Sequence, residues 1–155
     1  MGTPILSIPS DDLTKEMQGV WWLQSRDDWT KDGQRRIDPT LGSDPIGIIS
    51  YAKNHFAAQF MKRNRTENST DQVIHFGQNN TSAVGGYDAY FGTYEVFEKT
   101  GKVAHTLVGS ITPSNIGMTV SRDMRVNENS LTIQLETTTP GGEPIVRTLI
   151  WKRIS

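Results

Sequence analysis

Apolar and polar residues alternate in short runs along this chain, and clusters of Gly, Pro, Asn and Asp break the runs. A period of two marks a half-buried strand, because successive side chains of an extended backbone point to opposite faces. Eight such runs stand out: "GVWWLQSRD", "IGIISYA", "FAAQFMK", "YDAYFGTYEVFE", "VAHTLVGSI", "MTVSRDMRV", "LTIQLETT" and "IVRTLIWKRI". The connectors "KNH", "KTGK", "TPSNIG", "NENS" and "TPGGEP" are short and rich in turn formers, so sequential strands pair antiparallel in up-and-down order. With no helical layer to cover a sheet, eight strands hide their edges most simply by closing on themselves. The predicted fold is all-β: one eight-stranded antiparallel up-and-down β-barrel over residues 17–155, behind an N-terminal extension of residues 1–16. Segment 63–86, "RNRTENSTDQVIHFGQNNTSAVGG", breaks the pattern. It is long for a connector and predicts a lid or flap with room for one short helix.

Alternation also assigns faces. Trp21, Leu23 and Ser25 are expected to point into the barrel, and Trp22, Gln24 and Arg26 out of it. An outward Trp22 needs cover, either from the N-terminal segment Ile5 to Leu13 or from a second copy of the chain. On the fourth run Tyr90, Gly92, Tyr94 and Val96 share a face, with the glycine leaving room beside two phenols. Phenols projecting into a cavity combine apolar contact with a hydrogen-bonding tip. Its hairpin partner places His105 between Val103 and Leu107, either as a satisfied core histidine or as a pocket acid or base with a shifted pKa. Arg122 shares a face with Val120, Met124 and Val126. An inward guanidinium needs a partner, which a protein carboxylate or a bound carboxylate, enolate or oxyanion would supply. Gln59, opposite the face of Phe56, Ala58 and Phe60, is a further pocket candidate, while Asp88 and Glu95 are expected at the rim or in solvent. The candidate ligand contacts are thus Leu23, Ser25, Gln59, Tyr90, Tyr94, Val103, His105 and Leu107, and the candidate catalytic groups His105, Tyr90, Tyr94 and Arg122.

Composition narrows the chemistry. The 155 residues fit one domain large enough to bury a core without staples. The absence of cysteine removes disulfides and thiolate chemistry. With 16 basic and 17 acidic residues and a net charge of -1, the chain lacks the concentrated cationic surface that nucleic acid requires. Three scattered histidines, His55, His75 and His105, have no metal-ligand spacing, and the first two are expected in solvent. "AVGGYDAYFG" lacks the lysine of a phosphate loop, and no dinucleotide fingerprint is present, so no cofactor is expected. The N-terminus lacks a signal-peptide pattern and no run approaches the length of a membrane span. A cytoplasmic monomer or homodimer without membrane contact is expected, with the sequons at Asn64, Asn68, Asn79 and Asn80 as chance matches.

The runs also carry a resemblance. "GVW" at 19–21 resembles the glycine-x-tryptophan signature of the first lipocalin strand, and "IWKRI" resembles the last strand, whose arginine lies across that tryptophan. The order "GVWWLQS", "DPIGIISY", "AAQFMKRNR", "GYDAYFGTYEV", "VAHTLVGSITPSNIG", Arg122, "LTI" and "LIWKR" is similar to the bacterial and fungal lipocalin-like domain family, over residues 19–153. The departure is segment 63–86, where the family has a helix rich in Ala and Glu. The resemblance implies a calycin-type barrel with Arg153 stacked on Trp21 and a small hydrophobic ligand in an internal cavity. It also permits an alternative, a cofactor-free cyclase, isomerase or dehydratase of secondary metabolism acting on a polyketide- or terpenoid-like substrate. Such an enzyme would polarise a carbonyl with a tyrosine or Arg122 and pass one proton through His105. A third reading is a barrel filled by its own side chains.

Overall fold

The structure, a computed structural model, describes residues 6–65 and 79–155. The expected helix or lid in segment 63–86 and the expected solvent position of His75 fall mostly or wholly on residues outside that set.

The eight expected strands form, as β1 (Gly19–Trp29), β3 (Ile46–Tyr51), β4 (His55–Met61), β5 (Tyr87–Phe97), β6 (Lys102–Ser110), β7 (Thr119–Asn127), β8 (Ser130–Thr138) and β9 (Pro144–Arg153). Each pairs antiparallel with the next, and β9 pairs back onto β1, so the eight close into a barrel. A two-residue strand that the pattern did not suggest, β2 (Arg35–Arg36), adds to the far end of β1.

One end is sealed by α1 (Leu13–Glu16). Leu13 and Met17 are fully buried there, and the Met17 carbonyl accepts the Trp21 indole N–H at 2.9 Å. The Arg153 guanidinium lies 4.2 Å from the Trp21 ring centre and donates to the Glu16 and Gln18 carbonyls at 2.6 Å each. This cation–π stack ties the last strand to the first and both to the N-terminal segment. Gly19 is required where the chain enters: φ is +123°, and a Cβ there would run into the Ser155 carbonyl and come within 3.0 Å of Arg153 Nη1. The N-terminal segment was one candidate cover for Trp22, and it goes elsewhere. Its apolar residues Leu13 and Met17 close the barrel end, while Trp22 stays 44% exposed beside Ile46, Ile48 and Met61 on the outer wall.

The other end is crossed by two loops. Residues 38–42 place Asp38 and Leu41 over the opening, and a strap at 79–83 buries Asn80, Thr81, Ser82 and Ala83. The strap is held by Thr112 Oγ1 donating to the Ser82 carbonyl at 2.7 Å and by Asn79 Nδ2 donating to the Glu136 carbonyl at 3.0 Å.

One irregularity decides what faces the interior. Between Leu23 and Ser25 the β1–β9 register slips: Leu23 opposes Trp151, Ser25 opposes Ile150, Arg26 opposes Leu149 and Asp28 opposes Arg147. An extra residue in one strand inverts the alternation beyond it. The expected faces of Ser25 and Arg26 are therefore exchanged. Ser25 leaves the interior and Arg26 enters it, with its side chain only 8% exposed.

Candidate functional site

Toward the strapped end the barrel encloses a cavity of about 30 Å³, on the order of one or two water molecules. Its apolar wall includes Ile49, Phe60, Ile133, Leu135 and Leu149. Its polar lining comes from several strands and the strap: Arg26, Asn80, Thr81, Asp88, Tyr90, His105, Arg122 and Arg147, with Trp151 beside them.

Two of the three arginines are neutralised by carboxylates. Arg147 and Asp28, cross-strand neighbours, form a two-pronged pair with Nε–Oδ1 at 2.7 Å and Nη2–Oδ2 at 3.0 Å. Arg26 Nη1 donates to Asp38 Oδ2 at 2.7 Å, while Thr40 donates from both its amide and its hydroxyl to Asp38 Oδ1. Burial alone would raise the Asp38 carboxyl, but Arg26, Arg147 and the Thr40 bonds outweigh it and hold the group well below the usual carboxylate range. Arg122 is different. Its Nη1 donates to the Asn79 carbonyl at 2.9 Å, to Asn79 Oδ1 at 3.1 Å and to the Ser121 carbonyl at 3.0 Å, all neutral acceptors.

His105 is buried and shares a 2.7 Å hydrogen bond between its Nε2 and the Tyr51 hydroxyl. Burial first, and the nearby Arg122 second, lower its pKa to about 3, so the ring is neutral at ordinary pH. Asp88 moves the other way. Its Oδ2 accepts from the Thr81 hydroxyl at 2.5 Å, its Oδ1 has no partner, and burial raises its pKa. Tyr90 is also raised by burial, with the Asp88 charge adding to it and Arg122 opposing.

Among the expected site residues, the structure brings Tyr90, His105 and Arg122 together on the cavity. Leu23, Val103 and Leu107 are buried as expected but belong to the packed core beside it. Tyr94 lies elsewhere. Four residues along a strand is about 13 Å, and its hydroxyl reaches the turn after β3, donating to the Ala52 carbonyl at 2.5 Å and accepting from Gln18 Nε2 at 2.7 Å. Gln59 is exposed on the outer wall, where its Oε1 accepts from the Tyr87 hydroxyl. Ser25 is carried off the cavity by the β1 slip. His55 is exposed, as expected.

Several lining residues escaped the strand pattern. Arg26, together with Asp28, which pairs with the lining Arg147, was hidden by the slip in β1, which alternation cannot foresee. Asn80 and Thr81 come from a loop. Asp88 did carry a signal, since it shares the inward face of Tyr90, yet its place at the strand's start suggested a rim position. Arg147 was legible too: Ile145, Arg147, Leu149 and Trp151 alternate on one face. Among the described residues no group of His, Asp and Glu is arranged to hold a metal ion, and no helix is long and apolar enough to cross a membrane.

A closed eight-stranded meander, sealed at one end by a tryptophan under an arginine and lined inside with mixed polar and apolar groups, defines a lipocalin-type barrel. The chain belongs to the lipocalin-like domain family, whose model matches residues 18–154. No curated protein matches it. Membership supports a ligand-binding barrel in general.

Proposed function

We propose that this barrel binds a small, largely apolar molecule with its polar head in the cavity bounded by Asp88, Tyr90, His105 and Arg122. One observation carries the reading. Of the five buried polar side-chain atoms without partners among the described residues, three, Asp88 Oδ1, Asn80 Nδ2 and Trp151 Nε1, belong to residues lining this one cavity. Buried polar groups are costly to leave unmade, and a head group with acceptor oxygens would serve Asn80 Nδ2, Trp151 Nε1 and the Asp88 carboxyl, which burial pushes toward its protonated form. The apolar wall behind them suits the remainder of the molecule. The cavity of about 30 Å³ is smaller than such a molecule, so binding it requires the interior to widen. Native mass spectrometry of freshly purified protein is expected to show a bound small molecule that leaves on denaturation, and calorimetry is expected to register heat with decanol, decanamide or decanoate. A bare mass together with no heat from any of the three contradicts the reading.

A second reading, cofactor-free acid–base catalysis, gains support from Asp88, whose raised pKa and unpartnered oxygen suit a proton donor. His105 does not suit the shuttle role, because a ring with a pKa of about 3 takes up no proton near neutrality. Chromatography and NMR of the co-purified molecule, incubated with wild type and with Asp88→Asn, separate the readings. Conversion by wild type alone supports catalysis; an unchanged molecule in both removes it.

A further inference from the structure

We infer that Arg122 receives an anionic head group, a carboxylate or an oxyanion of like shape, on the ligand of this barrel. The inference rests on the binding function proposed above and adds the chemical class of the ligand.

The argument starts from what each guanidinium lacks. A guanidinium offers five N–H donors in a planar fork that matches the two oxygens of a carboxylate. Arg147 spends that fork on Asp28 through Nε and Nη2, and Arg26 has Asp38. Arg122, only 6% exposed, uses Nη1 alone, on the Asn79 and Ser121 oxygens. Its Nε and Nη2 make no hydrogen bond among the described residues, and the side chain lines the cavity. The free edge of the fork is the same edge that Arg147 turns to a carboxylate.

Charge points the same way. Three buried guanidinium groups meet two carboxylates in ion pairs, Asp28 and Asp38. The third carboxylate, Asp88, is bonded to Thr81 and makes no ion pair with Arg122. A buried cation without a counter-charge is costly, and Arg122 bears the consequence, its pKa lowered to about 10 by burial. Asn79 offers it two oxygens, a carbonyl and an amide, both neutral. A ligand carboxylate would replace neutral acceptors with a charged, two-pronged one.

The test pairs acids with their isosteric neutral amides: decanoate with decanamide, and 3-phenylpropionate with 3-phenylpropanamide, by calorimetry on wild type and Arg122→Gln. Wild type is expected to bind the acids at least about tenfold more tightly than the amides. Arg122→Gln is expected to lose that preference, the acids weakening far more than the amides. Equal binding of acid and amide by wild type, or an intact preference in the variant, overturns the inference and leaves the binding function standing. Should neither series bind, thermal unfolding decides. Sodium formate is expected to raise the wild-type Tm relative to sodium chloride at equal ionic strength, and to leave Arg122→Gln unmoved. No difference between the salts in wild type overturns the anion site.

Discussion

His105 sits where a pocket base would sit, yet its surroundings make it a poor one. Burial and Arg122 disfavour the imidazolium, and Tyr51 satisfies Nε2. This has a pH signature. The folded ring keeps a pKa of about 3 against 6.5 for an ordinary histidine. From about pH 6.5 down to about pH 3 the unfolded chain takes up a proton that the native state refuses, and stability falls as pH falls. The slope approaches about 1.4 kcal/mol per pH unit for one proton. His105→Gln is expected to remove it, so urea unfolding at pH 7 and pH 4.5 should show a smaller acid loss in the variant than in wild type. Asp38, held low, loses stability in the same direction at lower pH, and Asp88, held high, works in the opposite sense. Both are common to the two proteins and cancel in the comparison. Parallel losses would contradict the buried neutral ring. The adjacent tryptophans give a second contrast. Trp21 is fully buried, bonded to Met17 and stacked under Arg153, so Trp21→Ala should cost about 3 to 5 kcal/mol in denaturant unfolding. Trp22→Ala, on the outer wall, should stay near about 0.5 kcal/mol. Equal costs would contradict the assigned faces.

Among the elements, strands were legible and their interruptions were not. Strict alternation placed Trp21, Tyr90, His105 and Arg122 inside, because a closed barrel rewards the period of two on every strand. It failed at the β1 slip, where one additional residue turned Arg26 and Asp28 inward, and at the loops that bring Asp38, Asn80 and Thr81 over the opening. Position along a strand also mattered. Tyr94 shares a direction with Tyr90 but lies toward the sealed end, bonded to Ala52 and Gln18. Gly92 shows a similar shift of meaning. The pattern made it a space beside two phenols, whereas the structure makes it a necessity. The β5–β6 register slips between Phe91 and Gly92, and a Cβ on Gly92 would collide with the Thr106 carbonyl. Gly92→Ala is expected to destabilise the protein by about 1 to 3 kcal/mol and to disturb the adjacent Tyr90. Urea unfolding checks the first effect, and an unchanged midpoint would mean that the two strands separate without cost.

The molecule as a whole is a barrel with two unlike ends. Apolar packing and the Trp21–Arg153 stack close one, while ion pairs and a strap close the other, leaving unsatisfied polar atoms around a small cavity. The four tryptophans happen to sample its distinct surfaces. Trp151 lines the cavity, and its buried indole nitrogen has no partner among the described residues, whereas Trp21 is locked at the sealed end. Trp22 lines a groove on the outer wall, and Trp29 lines another formed with Lys31 and Pro144. An indole N–H spectrum of ¹⁵N-labelled protein, recorded while decanoate is added, therefore tests most directly whether the interior is the binding site. Binding inside the barrel is expected to move the Trp151 signal first and furthest, in proportion to occupancy, with Trp21 nearly still. Saturable movement of Trp22 or Trp29 with Trp151 unchanged would place the ligand on the outside and contradict an internal site.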